Sequence, residues 1–286
     1  MTTFTGPKPP QSESAGGTTP VGPERFALVV GTLCRRELVR FFRQRNRVIG
    51  AIGQPVLFWL LFGAGLGPSF RMPGAENVGY REFFFPGTMS LILLFTAIFT
   101  TISIIEDRRE GLLQSVLVAP ISRQSFVLGK LLGGSLIALI QALVFFVLGL
   151  TLDLHFTPAV VVGVVLFSFL SSFALTALGF VIAWRMDSTQ GFHAVMSIFL
   201  MPMWLLSGSF FPGDGWLRYV MAANPMTYMT AGLRRLMYLG RPDAAELLPP
   251  HLPSLVVCWI VTAAFAAALY FLATRAVRRR TTGDLL

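Results

Sequence analysis

The chain has 286 residues, of which 54% are hydrophobic and only 13% charged, and its formal net charge is +9. Soluble domains carry roughly 25% charged residues, so this composition leaves too little polar surface to cover a soluble fold and points to lipid as the solvent. In such a chain the positive balance bears first on membrane topology rather than on nucleic acid. Two widely separated cysteines, Cys34 and Cys258, exclude a disulfide framework or a cysteine metal motif.

Residues 1–23 hold five prolines and four glycines among many Ser and Thr. They predict a disordered tail, without the basic and then apolar order of a secretory signal. Residues 24–47 predict an amphipathic helix. Arg25, Arg36, Arg40, Arg43 and Arg47 fall on one side of it, and Phe26, Val30, Cys34, Leu38 and Phe41 on another, with Val29 out of pattern. A basic amphipathic helix ahead of a span reads as interfacial, its arginines toward anionic lipid. The alternative is a solvated helix docked on protein.

Six long windows without Asp, Glu, Lys or Arg follow: 48–70, 83–105, 131–152, 154–184, 188–213 and 247–274. A bilayer-spanning helix needs roughly 20 apolar residues. Buried helices of a soluble protein would instead show polar stripes. The predicted fold is therefore all-α and integral to the membrane, with spans at about 48–69, 83–105, 128–151, 158–183, 192–211 and 253–274. With the N-terminus inside, seventeen Lys and Arg lie on the inner side and six on the outer. That asymmetry predicts cytoplasmic termini and a multi-pass protein of the cell membrane.

The connections differ. An inner loop, 106–124, is long and polar. The outer segment 212–246 contains Trp216–Ala223, a short helical turn, and then Asn224-Pro225 ahead of an apolar run that ends at Gly240. Asn at the N-cap, Pro at the first helical position and Gly after the end mark a short helix. Its Arg234 and Arg235 lie where the helix dipole favours cations. Two short helices between spans five and six predict a re-entrant helical hairpin at the outer leaflet, or else a loop resting on the headgroups. Gly63 with Gly67, and Gly129 with Gly133, have the spacing that permits close helix approach.

Catalytic motifs are missing from the sequence. Gly129-Lys130 is followed by Leu131 rather than Ser or Thr, and no glycine stands where a phosphate-binding loop requires one. His155, His193 and His251 lack metal-ligand spacing and read as interfacial packing. No Asp or Glu falls mid-window, which argues against coupling by intramembrane carboxylates. The chain is thus read as a non-enzyme with no cofactor of its own, powered by a partner.

Two segments carry a family likeness. The first is Glu106-Asp107-Arg108-Arg109-Glu110-Gly111-Leu112-Leu113, running on to Pro120. The second is Leu206-Ser207-Gly208-Ser209-Phe210-Phe211-Pro212, followed by Asn224-Pro225 and Leu233-Arg234. From about residue 24 onward the chain resembles the type-2 ABC exporter permeases, the group of daunorubicin-resistance, Nod-factor and O-antigen export permeases. The resemblance implies that Glu106, Asp107, Arg108, Arg109, Glu110, Gly111, Leu113 and Pro120 belong to a coupling element that docks in a groove of a cytosolic ATPase. Two ATPase copies would bind ATP and Mg²⁺. A second permease copy, or a paralogue, would complete the pathway. Gly208, Phe211, Pro212, Asn224, Pro225 and Arg234 are then the outer re-entrant motif, and Arg36, Arg40, Arg43 and Arg47 the basic face of the interfacial helix. The first, second and fifth spans are expected to line the path. Phe84, Phe85, Trp204 and Phe210 either contact an amphipathic substrate or form an aromatic belt. The expected function is export of a hydrophobic or amphipathic compound, such as a drug, antibiotic, lipid or lipid-linked glycan. The competing reading is a non-transporting scaffold that recruits a cytosolic partner.

Overall fold

The structure is a computed structural model and describes residues 23–67, 79–111, 121–152, 154, 156–210, 215–241, 248–249 and 251–279. The tail before Pro23 lies outside these residues. The described residues form helices and turns and contain no strand.

α1 is Pro23–Arg43 and α2 is Arg45–Leu66. Gln44 separates them by leaving helical geometry, with φ −92° and ψ 76°. α3 is Tyr80–Thr100 and α4 is Ile102–Arg109. They bend at Thr101, where the hydroxyls of Thr100 and Thr101 bond back to the carbonyls of Ala97 and Ile98 at 2.7 and 2.6 Å. Such back-bonding competes with the helix ladder and bends it. α5, Arg123–Val147, starts at Ser122, whose side chain accepts from the Ser125 amide, and ends in a 3₁₀ turn at Leu148–Thr151. α6, Pro158–Ala183, has Thr157 as its cap and proline in its first turn. α7, Thr189–Trp204, is capped by Ser188. A wide π-type turn, Leu205–Ser209, follows α7. α8 is Leu217–Ala223, α9 is Pro225–Met237 and α10 is Leu255–Arg279.

Six of these helical segments are long and apolar enough to cross a membrane: Val48–Leu66, Tyr80–Arg109, Arg123–Thr151, Pro158–Ala183, Thr189–Ser209 and Leu255–Arg278. The six charge-free windows anticipate them. The second departs most from its predicted span, 83–105, because the helix continues through Glu106 to Arg109 rather than giving way to a loop at 106. The reason is electrostatic: as shown below, the charges there are paired inside the protein.

α3 is the central helix and packs on α2, α5 and α6, while α10 packs on α6. α1 lies along α5. The glycine spacing explains that contact. A Cβ on Gly129 would come within 2.8 Å of Leu33 Cβ, and one on Gly133 within 2.7 Å of Glu37 Cβ. The small-residue pair of α5 thus receives the amphipathic helix α1. Of the other pair, Gly63 closes on Arg81, while Gly67 faces open space.

Candidate functional site

Where α1, α4 and α5 meet, opposite charges are drawn into the protein. Lys130 is only 4% exposed. Its ammonium donates to Glu37 Oε1 at 2.6 Å, to Ser103 Oγ at 3.2 Å and to Asp107 Oδ2. The other oxygen of Asp107 accepts from Arg36 Nη2 at 2.5 Å and from Arg40 Nη1 at 2.9 Å. Arg40 Nη2 donates to Glu106 Oε2 at 2.7 Å. Burial disfavours the Arg40 charge, but the carboxylates of Glu106, Asp107 and Glu37 outweigh it and hold the guanidinium above its ordinary value. Arg108 donates to the carbonyls of Trp184 and Met186 at 2.7 and 3.1 Å and to Asp187 Oδ1 at 2.7 Å. Arg109 Nε reaches the Asp187 carbonyl at 3.1 Å. α4 is thereby tied to α1, to α5 and to the α6–α7 connection.

This placement corrects two readings. Arg36 and Arg40 do not turn to lipid: α1 docks on protein and spends both on Asp107 and Glu106. Arg43 stays exposed, and Arg47 belongs to the first turns of α2 rather than to α1. Likewise Glu106, Asp107, Arg108 and Arg109 are engaged inside the chain rather than presented on an open loop. Glu110 keeps most of its side chain exposed. Gly111, at φ +73°, turns the chain out of α4. Leu113 and Pro120 lie outside the described residues. Lys130 and Glu37 were not anticipated as site residues; the signal was a lone lysine set between two helix-packing glycines.

At the other end of the bundle, α9 seats against the turn after α7. Leu206 and Gly208 leave helical geometry there, Gly208 with φ +75°, so several carbonyls lose their helical donors. α8 and α9 replace those donors. Asn224 Nδ2 donates to Met203 O at 2.6 Å and Leu206 O at 3.1 Å, while its oxygen caps α9 through the Met226 amide at 3.0 Å. Arg234, 1% exposed, donates to Gly208 O and Phe83 O, each at 3.1 Å. Its guanidinium carbon sits 4.2 Å from the Phe83 ring centroid. The hydroxyls of Ser90, Ser207, Ser209 and Thr230 bond to one another in the same place. Thus Gly208, Asn224, Pro225 and Arg234 meet in one arrangement, while Phe211 and Pro212 lie outside the described residues.

The four aromatics assigned to the pathway are packing residues in this conformation. Phe84, Phe85 and Trp204 are buried, and Phe210 is half-buried. Trp204 Nε1 donates to Gly87 O at 2.9 Å, and the Phe84 and Phe210 ring centroids lie 5.6 Å apart. Phe84, Trp204 and Phe210 brace the π-type turn against α3, while Phe85 stacks on Phe145 of α5 at 4.7 Å. A larger open space lies between α2 and α7 over the flank of α3. A cavity of about 360 Å³ there is walled by aromatic and aliphatic side chains, with Asn46, Gln54, Thr96 and His193 as its polar groups. Thr96 donates to Gln141 Oε1 at 2.6 Å behind that wall, and His193 packs 5.2 Å from Phe99, centroid to centroid. His193, read from the sequence as interfacial packing, lines this cavity. Polar side chains in otherwise apolar spans were the available signal.

The model of the ABC-2 type transporter family matches residues 29–238. The chain is 30% identical over 215 residues to the transport permease ycf38 of Cyanophora paradoxa, covering 71% of this chain and 72% of that one. It is 26% identical over 227 residues to the daunorubicin resistance ABC transporter permease protein DrrB1 of Streptomyces coeruleorubidus, covering 76% and 78%. It is 24% identical over 231 residues to the doxorubicin resistance ABC transporter permease protein DrrC of Mycobacterium tuberculosis (strain CDC 1551 / Oshkosh), covering 74% and 78%. With its helices long and apolar enough to cross a membrane and a family match that runs from α1 through α9, the chain belongs to the ABC-2 type transporter family and is a permease of that family.

Proposed function

We propose that this permease is the membrane half of an ATP-driven exporter for hydrophobic or amphipathic compounds of the anthracycline kind. The observation that carries the reading is the cavity between α2, α3 and α7. Among the described residues its wall is apolar and aromatic, with a few hydrogen-bonding side chains and no Asp, Glu, Lys or Arg. Such a lining suits a largely apolar ligand with scattered polar substituents. Two relatives bear daunorubicin and doxorubicin resistance in their names. Both termini are cytoplasmic in this reading, as the Lys and Arg asymmetry favours, and α8 with α9 forms a re-entrant hairpin on the outer side.

Energy comes from two copies of a cytosolic ATPase that hold ATP and Mg²⁺; this chain holds neither. The ATPase bears on the segment after Glu110. α4 passes the displacement to α1 and α5 through Asp107, Arg36, Arg40 and Lys130. A second permease copy pairs along the exposed apolar faces of α2 and α7, which carry Leu57, Leu61, Ile198 and Phe199. Closing or opening between the two copies would alternate access, by an amount set by the differential affinity of ATP for the two states.

The test is reconstitution of the full chain with its ATPase in inside-out proteoliposomes. Expected is Mg-ATP-dependent accumulation of daunorubicin, reduced about tenfold by Gln54→Leu combined with His193→Leu, because a buried polar substituent would lose its partners. Failure to form a stable complex, or accumulation that does not depend on ATP, would sink the reading.

A further inference from the structure

Among the described residues the buried charges follow one rule and break it once. Lys130 is surrounded by Glu37 and Asp107. Arg234 is buried more completely, yet it makes no ion pair among the described residues, and its Nε has no hydrogen-bond partner. A guanidinium is a rigid fork of N–H donors that matches an oxyanion, and an uncompensated buried charge is costly. Two carbonyls and a phenyl ring supply partial charges only.

A cavity of about 100 Å³ opens against Arg234, and its wall also carries Arg218, His251, Ser207 and Thr227. Among the described residues the wall contains no Asp or Glu. Among the described residues Arg218 is spent on Tyr219 alone, donating to its hydroxyl at 2.7 Å and lying 4.7 Å from its ring centroid. His251 holds φ at +69°, the one positive value among the described residues other than glycine. A histidine in that region is strained, and strain of this kind concentrates where a side chain is held for a purpose. Three basic side chains therefore line one small cavity whose wall is otherwise largely apolar, and the deepest has an unused donor.

We propose that this cavity is a binding site for a single phosphate group, seated on Arg234 and closed over by Arg218 and His251. The cavity has room for a tetrahedral oxyanion, and any organic remainder would leave it past α8. The site is separate from the apolar cavity between α2 and α7, and it stands or falls independently of what that cavity carries.

The full chain, purified in a neutral maltoside detergent, is titrated with sodium phosphate against sodium chloride at matched ionic strength while its unfolding temperature is followed. It is also placed in nanodiscs of phosphatidylglycerol or of a phosphate-free galactolipid. A saturable rise with phosphate assigns the site to the free ion. A rise in phosphatidylglycerol discs alone assigns it to a lipid headgroup. In either case Arg218→Ala with His251→Ala, both at the exposed rim, should weaken the apparent affinity about tenfold, the loss of two charge-assisted contacts. Arg234→Met should abolish the effect if that variant folds. No difference between phosphate and chloride and none between the two lipids would overturn the proposal, as would an effect that persists unchanged in the rim double variant.

Discussion

Lys130 shows how much one side chain can organise. It bridges Glu37 on α1 and Asp107 on α4 from its own place on α5. Removing one member of a buried pair leaves an uncompensated charge, at about 3–5 kcal/mol. Lys130→Met is therefore expected to lower the unfolding midpoint in mild detergent strongly. Adding Glu37→Gln should recover about half of the loss, because Asp107 retains Arg36 and Arg40. Recovery of nothing would show that Lys130 acts through packing alone. Gly87 is a second residue-scale test. A Cβ there would lie 2.7 Å from the Ser209 carbonyl oxygen, and backbone cannot swing aside as a side chain can. Gly87→Ala should cost about 1–3 kcal/mol and should loosen the turn after α7, read as faster hydrogen exchange there. Cys34 gives a chemical test on α1. Burial first and Glu37 second push its thiol above the ordinary value. The thiolate is the reactive form, so at pH 8 maleimide should label Cys34 more slowly in the folded chain than in the denatured one. Equal rates would mean that α1 does not dock on α5.

At the scale of elements, the helices were legible where composition alone decides them. Ser122, Thr157, Ser188 and Asn224 each cap the helix that follows, and Pro158 and Pro225 sit in first turns where proline is preferred. What the sequence does not state is which way an amphipathic helix faces. The basic side of α1 is equally suited to anionic lipid and to carboxylates, and only the approach of α4 and α5 chooses between them. Arg36→Ala with Arg40→Ala should free α1 and let its backbone open, so that trypsin cuts faster at Arg25 and Arg35, whose side chains are exposed but held in helix when α1 is docked, while the rest of the bundle stays protected; an unchanged digestion pattern would refute the docking. Asn224 also does more than cap. Its amide holds two carbonyls of the turn after α7, so Asn224→Ala should cost more than the roughly 1 kcal/mol of a lost cap. Loss of that amount alone would mean the turn is held by Arg234 and packing.

The molecule as a whole is unevenly finished. α3 is enclosed by its neighbours, whereas α2, α7 and α10 leave most of their surfaces open. Lipid can cover all three, since apolar side chains meet no penalty in hydrocarbon. The faces of α2 and α7, however, flank the cavity between them, and a second copy across these faces would close it. On this reading the 31.4 kDa chain should run as a dimer in mild detergent, by light scattering on the protein component. Leu57→Trp with Ile198→Trp should shift it to monomer without lowering expression. A mass unaffected by these substitutions would place the second copy on another face.

The number of spans, their approximate positions and the absence of a nucleotide motif are properties of composition and short patterns, so the sequence by itself determined them: a charge-free run of this length has one stable use in lipid. The partners of Asp107, the depth of Arg234 and the position of the open cavity were decided only by the tertiary structure. Each depends on residues far apart in the chain, such as Glu37 with Lys130 or Phe83 with Arg234, and on which face of a helix meets a neighbour. Charge counts along the chain record that such groups exist. Only helix packing, set at α5 by Gly129 and Gly133, determines whether they end in water, in lipid or against one another.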